Sequence, residues 1–334
     1  MRCVVFTGPG EGALKCPQQA KACATGDRRT APVKRVTLVL LLGALGMRAQ
    51  VVPEVRAALA GQDFASAERV AEEFRKQQGV NGEYLEAHSW LGRGALAAKK
   101  YDQALRYAAQ TRQLSLDLLK TRKLDAEPHL PIGFGASIEV NGQALAALGQ
   151  RTEAVSFLQA ELKSWRETSI RTRIQKNLHL LSLEGKPAPA LELSEWVGSA
   201  QPVALKGKPH VLFFWAHWCA DCKQQGPALA RLAKEFGKQG LTVVLPTQRY
   251  GYAAGGEDTT PAAEAAYIAT VRQDFYGVLK GATPLSQENF RNYGCSTSPT
   301  LVLVDRAGIV RLYHPGKMTY EELRPKIQAM VGAS

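Results

Sequence analysis

At 334 residues the chain has room for two domains of ordinary size, and its composition, 45% apolar with no low-complexity bias, excludes a disordered or collagen-like protein. The formal net charge is +12, from 42 Lys plus Arg against 30 Asp plus Glu, which at face value fits nucleic acid or an acidic surface. Half of that excess lies in residues 1–49, where Arg2, Lys15, Lys21, Arg28, Arg29, Lys34, Arg35 and Arg48 face only Glu11 and Asp27, so a nucleic-acid partner is not expected.

Residues 33–49 read as a secretory signal peptide: Lys34 and Arg35 precede an apolar run over 36–45, and small residues follow at plausible cleavage positions. A run of about a dozen residues falls short of the roughly 20 that span a bilayer, so cleavage is favoured over an uncleaved anchor. No Cys follows closely enough to carry lipid, and no stable membrane anchor is expected. The mature chain is placed in the periplasm or cell envelope. Residues 1–32 lack periodicity and precede the signal; they read as a leader that is not translated, with the start at Val33, or else as a disordered extension. Of six Cys, this leader holds Cys3, Cys16 and Cys23. The remaining Cys219, Cys222 and Cys295 form one close pair and a spare, the pattern of a reactive dithiol and not of a disulfide-stapled scaffold.

Residues 50–184 are rich in Ala, Leu, Glu, Gln and Arg with helical periodicity. Trp90, Leu91-Gly92, Ala97, Tyr101, Ala104 and Tyr107 stand at the offsets of a tetratricopeptide helix-turn-helix. Gly61-Gln62-Asp63-Phe64 with Ala67, and Gly149-Gln150-Arg151-Thr152 with Ala154, repeat its turn and second helix. The spacing predicts three degenerate repeats, a loop at 128–135 that absorbs the extra length, and a closing helix near 170–183. Such a stack takes a partner segment in its groove or supports the second domain, and no charged or aromatic stripe in the sequence separates the two.

Gly185-Lys186-Pro187-Ala188-Pro189 breaks the pattern and marks a linker, and residues 185–334 form the second domain. Strands are predicted at 211–216, 241–245, 300–304 and 309–313, and helices at 223–237, 261–275 and 320–331. The last two strands flank the Asp305-Arg306-Ala307-Gly308 turn. Alternating strands and helices that close on a hairpin make an α/β domain with a mixed sheet.

The chemistry lies in Phe-Phe-Trp-Ala-His-Trp-Cys-Ala-Asp-Cys-Lys-Gln-Gln-Gly-Pro, residues 213–227. A buried strand delivers Cys219 to a helix start, where unpaired N–H groups and the dipole favour a thiolate. A free thiol near pH 8.5 falls there to roughly 3.5–7.5, which makes Cys219 the nucleophile. Cys222, one turn on, resolves the mixed disulfide. Asp221 in the first turn repels the thiolate and so makes the pair more reducing, and His217 is placed to blunt that effect by pairing with Asp221.

This string, with Gly185 to Pro189, Tyr293-Gly294 and Ser298-Pro299-Thr300, resembles the thioredoxin superfamily, most closely its exported TlpA/ResA-like disulfide reductases. The resemblance covers about residues 185–334. It implies that Pro299 is a cis-proline facing the dithiol, that Ser298 and Thr300 bind an extended substrate, that Trp218 shields Cys219, and that Pro227 kinks the active-site helix. It also implies that residues 247–290 are an insertion. Two positions depart from the pattern: Phe213 stands where thioredoxins have a buried Asp, and Asp221 where the family commonly has Pro, so the proton acceptor for Cys222 is left open between Asp221 and water.

A zinc site built on Cys219, Cys222 and His217 wants a fourth ligand that the sequence does not offer. Cys295 and His314 read as a buried inert thiol and a surface imidazole. The expectation is therefore a thiol-disulfide reductase without metal or organic cofactor, acting on protein disulfide clients and recharged by an upstream dithiol donor. The alternative is a repeat-based scaffold whose second domain positions a client without turnover.

Overall fold

The computed structural model describes residues 50–198 and 204–332. The stretches read as a signal peptide and a leader, with the three Cys of the latter, lie outside the described residues. Among those described, no helix is long and apolar enough to cross a membrane.

Seven helices come first: α1 (Val51–Ala60), α2 (Phe64–Gln78), α3 (Gly82–Ala97), α4 (Tyr101–Leu119), α5 (His129–Ala147), α6 (Arg151–Ser164) and α7 (Arg171–Ser182). The first six pair as three hairpins closed by one recurring turn. In each turn a single residue takes a positive φ: Gln62 at 58°, Lys99 at 58° and Gly149 at 83°. Its N–H bonds back three residues and the next N–H bonds back five: Gln62 to Leu59 and Asp63 to Ala58, Lys99 to Leu96 and Lys100 to Ala95, Gly149 to Ala146 and Gln150 to Leu145. Five residues beyond each positive φ stands an alanine, Ala67, Ala104 or Ala154, with no exposed surface. A larger side chain there would wedge the hairpin arms apart.

The predicted loop at 128–135 is instead the start of α5. Glu127 accepts the N–H groups of His129 and Leu130, both at 3.0 Å, which begins the helix, and Pro131 falls in the first turn where its missing N–H costs nothing. Gly133 signals a loop in sequence but is a packing residue: a Cβ there would lie 2.7 Å from the Leu85 carbonyl carbon, so its absence lets α5 press on α3.

The second part is a thioredoxin-like fold. Strands β1 (His210–Phe214), β2 (Thr242–Val244), β3 (Thr300–Val304) and β4 (Val310–Pro315) form a sheet of order β2-β1-β3-β4. The β1–β2 pair is parallel and the other two are antiparallel, so the sheet is mixed. Every residue of β1 and β3 is buried, because helices cover both faces. Helices α8 (Ala220–Phe236), α9 (Pro261–Tyr276) and α11 (Tyr320–Gly332) pack over Val211, Phe213, Leu301 and Leu303. On the other face α10 (Gln287–Tyr293), whose first four residues fall within the predicted insertion 247–290, brings Phe290 and Tyr293 against Leu212, Phe214 and Val302.

The stretch read as a linker is hydrogen-bonded to the sheet edge. Gly185 N–H reaches Val310 O at 2.8 Å, Val310 N–H reaches Lys186 O at 2.9 Å, and Ala188 N–H reaches Gly308 O at 2.9 Å. Helix α7 is likewise held on both sides. Gly294, at φ 65°, ends α10, and a Cβ on it would come within 2.4 Å of the Lys176 nitrogen in α7. His179 Nδ1 lies 3.2 Å from Tyr293 O, and Arg171 donates to Glu288 and Asn292, each at 3.3 Å. Helix α7 thus closes the helical region and lies directly on the α/β fold.

Candidate active site

The site grows from the end of β1. Trp215 is fully buried; its Nε1 donates to Leu245 O at 3.0 Å and its carbonyl accepts from Thr247 Oγ1 at 2.9 Å, which fixes the strand's exit. Four residues on, Cys219 is the N-cap of α8, and its Sγ accepts the Cys222 N–H at 3.1 Å. That is the geometry in which a helix start stabilises negative charge on sulfur. Cys219 and Cys222 are joined as a disulfide, with Cys222 fully buried and Cys219 4% exposed. Ser298 and Pro299 are linked by a cis peptide bond, and the Ser298 carbonyl oxygen lies 3.4 Å from Cys219 Sγ.

The other expected residues are distributed unevenly around the disulfide. Trp218 is half exposed and stands edge-on to Tyr250, ring centroids 5.6 Å apart, next to the nearly buried Cys219. Thr300 is fully buried and its hydroxyl donates to Thr297 O at 2.7 Å, which turns its side chain inward and away from the surface a substrate reaches. Pro227 lies within α8. Cys295 is free and buried, and burial pushes its thiol well above the ordinary value.

Asp221 and His217 are not partners. Asp221 accepts from Lys317 Nζ at 2.9 Å, and the same ammonium donates to Gln224 at 2.7 Å. His217 turns the other way, Nε2 lying 3.2 Å from Glu264 Oε1, inside a cage of Tyr250, Tyr252 and Tyr267 rings. Burial holds the imidazole below its ordinary pKa although Glu264 pulls it up. Neither Lys317 nor Glu264 carries a local motif that points to the site, because each approaches from an element far along the chain.

Phe213, in place of an acid, is fully buried and packs on Tyr276 with centroids 5.4 Å apart. The Tyr276 hydroxyl and Gln225 Nε2 are buried without hydrogen-bond partners among the described residues. Burial raises the Tyr276 phenol, so it stays protonated at neutral pH.

Beside the disulfide opens a cavity of about 370 Å³. Trp218, Ser298 and Tyr250 form its redox side, Phe290 and Cys295 line it from the α/β fold, and Thr172 comes from α7.

A paired cysteine capping a helix, one sulfur retaining slight exposure beside a cis-proline loop and the other fully buried, is suited to disulfide exchange. The chain is a thiol-disulfide oxidoreductase, and its Cys219–Cys222 pair sits in the thioredoxin-like region. Residues 185–247 match the AhpC/TSA family. The thioredoxin-like protein YneN of Bacillus subtilis (strain 168) is 28% identical over 145 residues, 43% of this chain and 78% of that protein. A thiol:disulfide interchange protein, DsbE of Xylella fastidiosa (strain Temecula1), is 27% identical over 152 residues, 44% of this chain and 68% of that one. The thiol-disulfide oxidoreductase ResA of Bacillus subtilis (strain 168) is 39% identical over a shorter stretch of 62 residues, 18% of this chain and 35% of ResA.

Proposed function

We propose that the chain is an exported reductase of protein disulfides in the periplasm or cell envelope. The observation that carries this reading is the asymmetry of the pair: Cys219 caps α8, keeps 4% exposure and lies 3.4 Å from Ser298 O, while Cys222 is fully buried. In the reduced form the Cys219 thiolate attacks one sulfur of a client disulfide. The Cys219–client bond forms, the client S–S bond breaks, and the first client sulfur leaves as a thiolate that takes up a proton. Cys222, deprotonated, then attacks Cys219 Sγ, restoring the intramolecular disulfide and releasing the second client thiolate. Two electrons pass to the client, and a dithiol donor returns them by the same steps in reverse. Pro299, Ser298 and Trp218 border the path of the client, and Ser298 is the residue whose backbone an extended client would pair with. No step in this scheme calls on a metal or an organic cofactor.

The helical region reads as tetratricopeptide-like, bounded at residues 50–184, and the reading rests on the recurring turn and the alanine five residues beyond it. Its groove is suited to a partner segment on the face shared by α3, α5 and α7, where Trp90 lies against Arg93 at 4.4 Å and Glu139 holds Lys176 at 2.6 Å. Export rests on the pattern of residues 33–49.

The test is trapping. Cys222→Ser, incubated with a protein disulfide, should accumulate a mixed disulfide through Cys219, and Cys219→Ser should accumulate none. Equal trapping by the two variants would overturn the assignment of attacker and resolver. Absence of dithiothreitol-driven insulin reduction by the unaltered chain would overturn the reductase reading.

A further inference from the structure

The cavity beside the disulfide is bounded on one side by the helical region. Thr168, Ser169 and Thr172, in and before the first turn of α7, line it together with Trp218 and Ser298 of the redox site. These three residues precede the segment 185–247 that matches the AhpC/TSA family. Their position is fixed, because α7 is held to α10 by the close approach at Gly294 and by Arg171, which donates to Glu288 and Asn292. A wall held in this way is a rigid recognition surface and not a passing neighbour.

Resting on the reductase reading above, we infer that the start of α7 is the second wall of the client cleft, and that it selects clients with a small polar side chain next to the attacked cysteine. An extended segment lying along Ser298, with its sulfur at Cys219, would send a side chain flanking the cysteine into this space, because successive side chains of an extended chain point to opposite sides. A volume of about 370 Å³ is of the order that takes a side chain and its bound water. The lining fixes its chemistry. Thr172, Ser296 and Gln287 line the cavity from α7, the loop before β3 and α10. They supply donors and acceptors for a hydroxyl or amide. Arg291, which lines the cavity, shares the single carboxylate of Glu288 with Arg171, at 3.6 Å and 3.3 Å, and Ser169 donates to Asp125.

The experiment compares a protein client with a disulfide too small to reach the wall. In dithiothreitol-driven turnover, Thr172→Trp and Ser169→Trp, which fill the cavity, should lower kcat/KM for insulin at least tenfold, chiefly through KM. Reduction of hydroxyethyl disulfide should stay within twofold, and the reduction potential of the Cys219–Cys222 pair should not move. Thr172→Val keeps the volume and removes only the hydroxyl. It should raise KM about threefold for a peptide disulfide with serine beside the cysteine and leave a valine-flanked peptide unchanged. Unchanged insulin kinetics in the Trp variants, or equal losses on insulin and hydroxyethyl disulfide, would overturn the inference about the wall. Equal response of the two peptides to Thr172→Val would overturn the chemical selectivity. Failure of the unaltered chain to reduce either disulfide would instead remove the reductase reading on which the inference rests.

Discussion

His217 and Glu264, 47 residues apart in the chain, meet at 3.2 Å between Nε2 and Oε1 with each side chain only 1% exposed. The same carboxylate accepts the N–H groups of Tyr250 at 2.5 Å and Gly251 at 2.9 Å. One buried acid therefore ties three things together: α9, the loop after β2, and the residue before Trp218-Cys219. With the imidazole held neutral by burial, its proton belongs on Nε2, where Glu264 accepts it.

Truncating that acid should be costly. Glu264→Ala leaves one buried imidazole N–H and the partly buried N–H groups of Tyr250 and Gly251 without their acceptor; with about 1 kcal/mol for the buried donor and less for the two that water can reach, the loss is about 2 kcal/mol. Glu264→Gln keeps one acceptor oxygen and should cost about 1 kcal/mol. Urea unfolding at pH 7.5 measures both. A Glu264→Ala variant as stable as the unaltered chain would show that the three donors find other partners.

Much of this architecture is written in local signals. The apolar run before Cys219, the Thr300–Val304 strand and the Pro261 helix start, capped by Thr260, each depend on near neighbours in sequence and were legible there. What escaped depends on distant approach. Glycines 133 and 294 look like loop or turn residues until the facing helix is present, when each proves to be the gap through which another backbone passes. The partners of Asp221 and His217 escaped for the same reason: side-chain hydrogen bonding across 96 and 47 residues leaves no periodicity to find. The stretch at 185–189 has a linker's composition, and only its pairing with β4 reveals an edge of the sheet.

Stability should fall on mild acidification. His88 is buried in the helical region, its Nδ1 2.8 Å from Thr111 Oγ1, and burial brings its pKa down to about 4 against the opposing pull of Glu72 and Glu68. A depressed imidazole contributes its full stability above the unfolded value of about 6.5 and loses it as pH falls from there through the folded value near 4. For a shift of this size the loss is about 3 kcal/mol. His179 and His210 are depressed by burial as well and act in the same direction. Urea midpoints should be level between pH 7 and 8 and decline from pH 6.5 to 4.5, with a shallower decline in His88→Gln. Equal slopes for the two proteins would remove His88 from the account.

The last prediction concerns the charge pair beside the redox centre. Asp221 lies in the first turn of α8, and Lys317 reaches it from the loop before α11, Nζ to Oδ1 2.9 Å, with both side chains about half exposed. Alone, a carboxylate about 6 Å from the Cys219 thiolate, at an effective dielectric of about 40, would raise its free energy by on the order of 1 kcal/mol, or about one pKa unit at most. Lys317 offsets that repulsion in the unaltered chain. Lys317→Ala should therefore unmask Asp221, raise the Cys219 pKa and lower the reduction potential, since a destabilised thiolate favours the disulfide. Asp221→Asn should do the reverse, lowering the pKa and raising the potential. For the two-electron couple about 1 kcal/mol corresponds to roughly 20 mV, the ceiling for either change. Because the pair is exposed, both shifts should shrink in 1 M salt, where the screening length falls to about 3 Å. His217 does not complicate the comparison, because its ring is engaged with Glu264. The pH dependence of iodoacetamide alkylation gives the Cys219 pKa, and equilibration with a glutathione couple gives the potential. Shifts of the same sign in Lys317→Ala and Asp221→Asn would show that the two side chains act through packing at the helix start and not through charge.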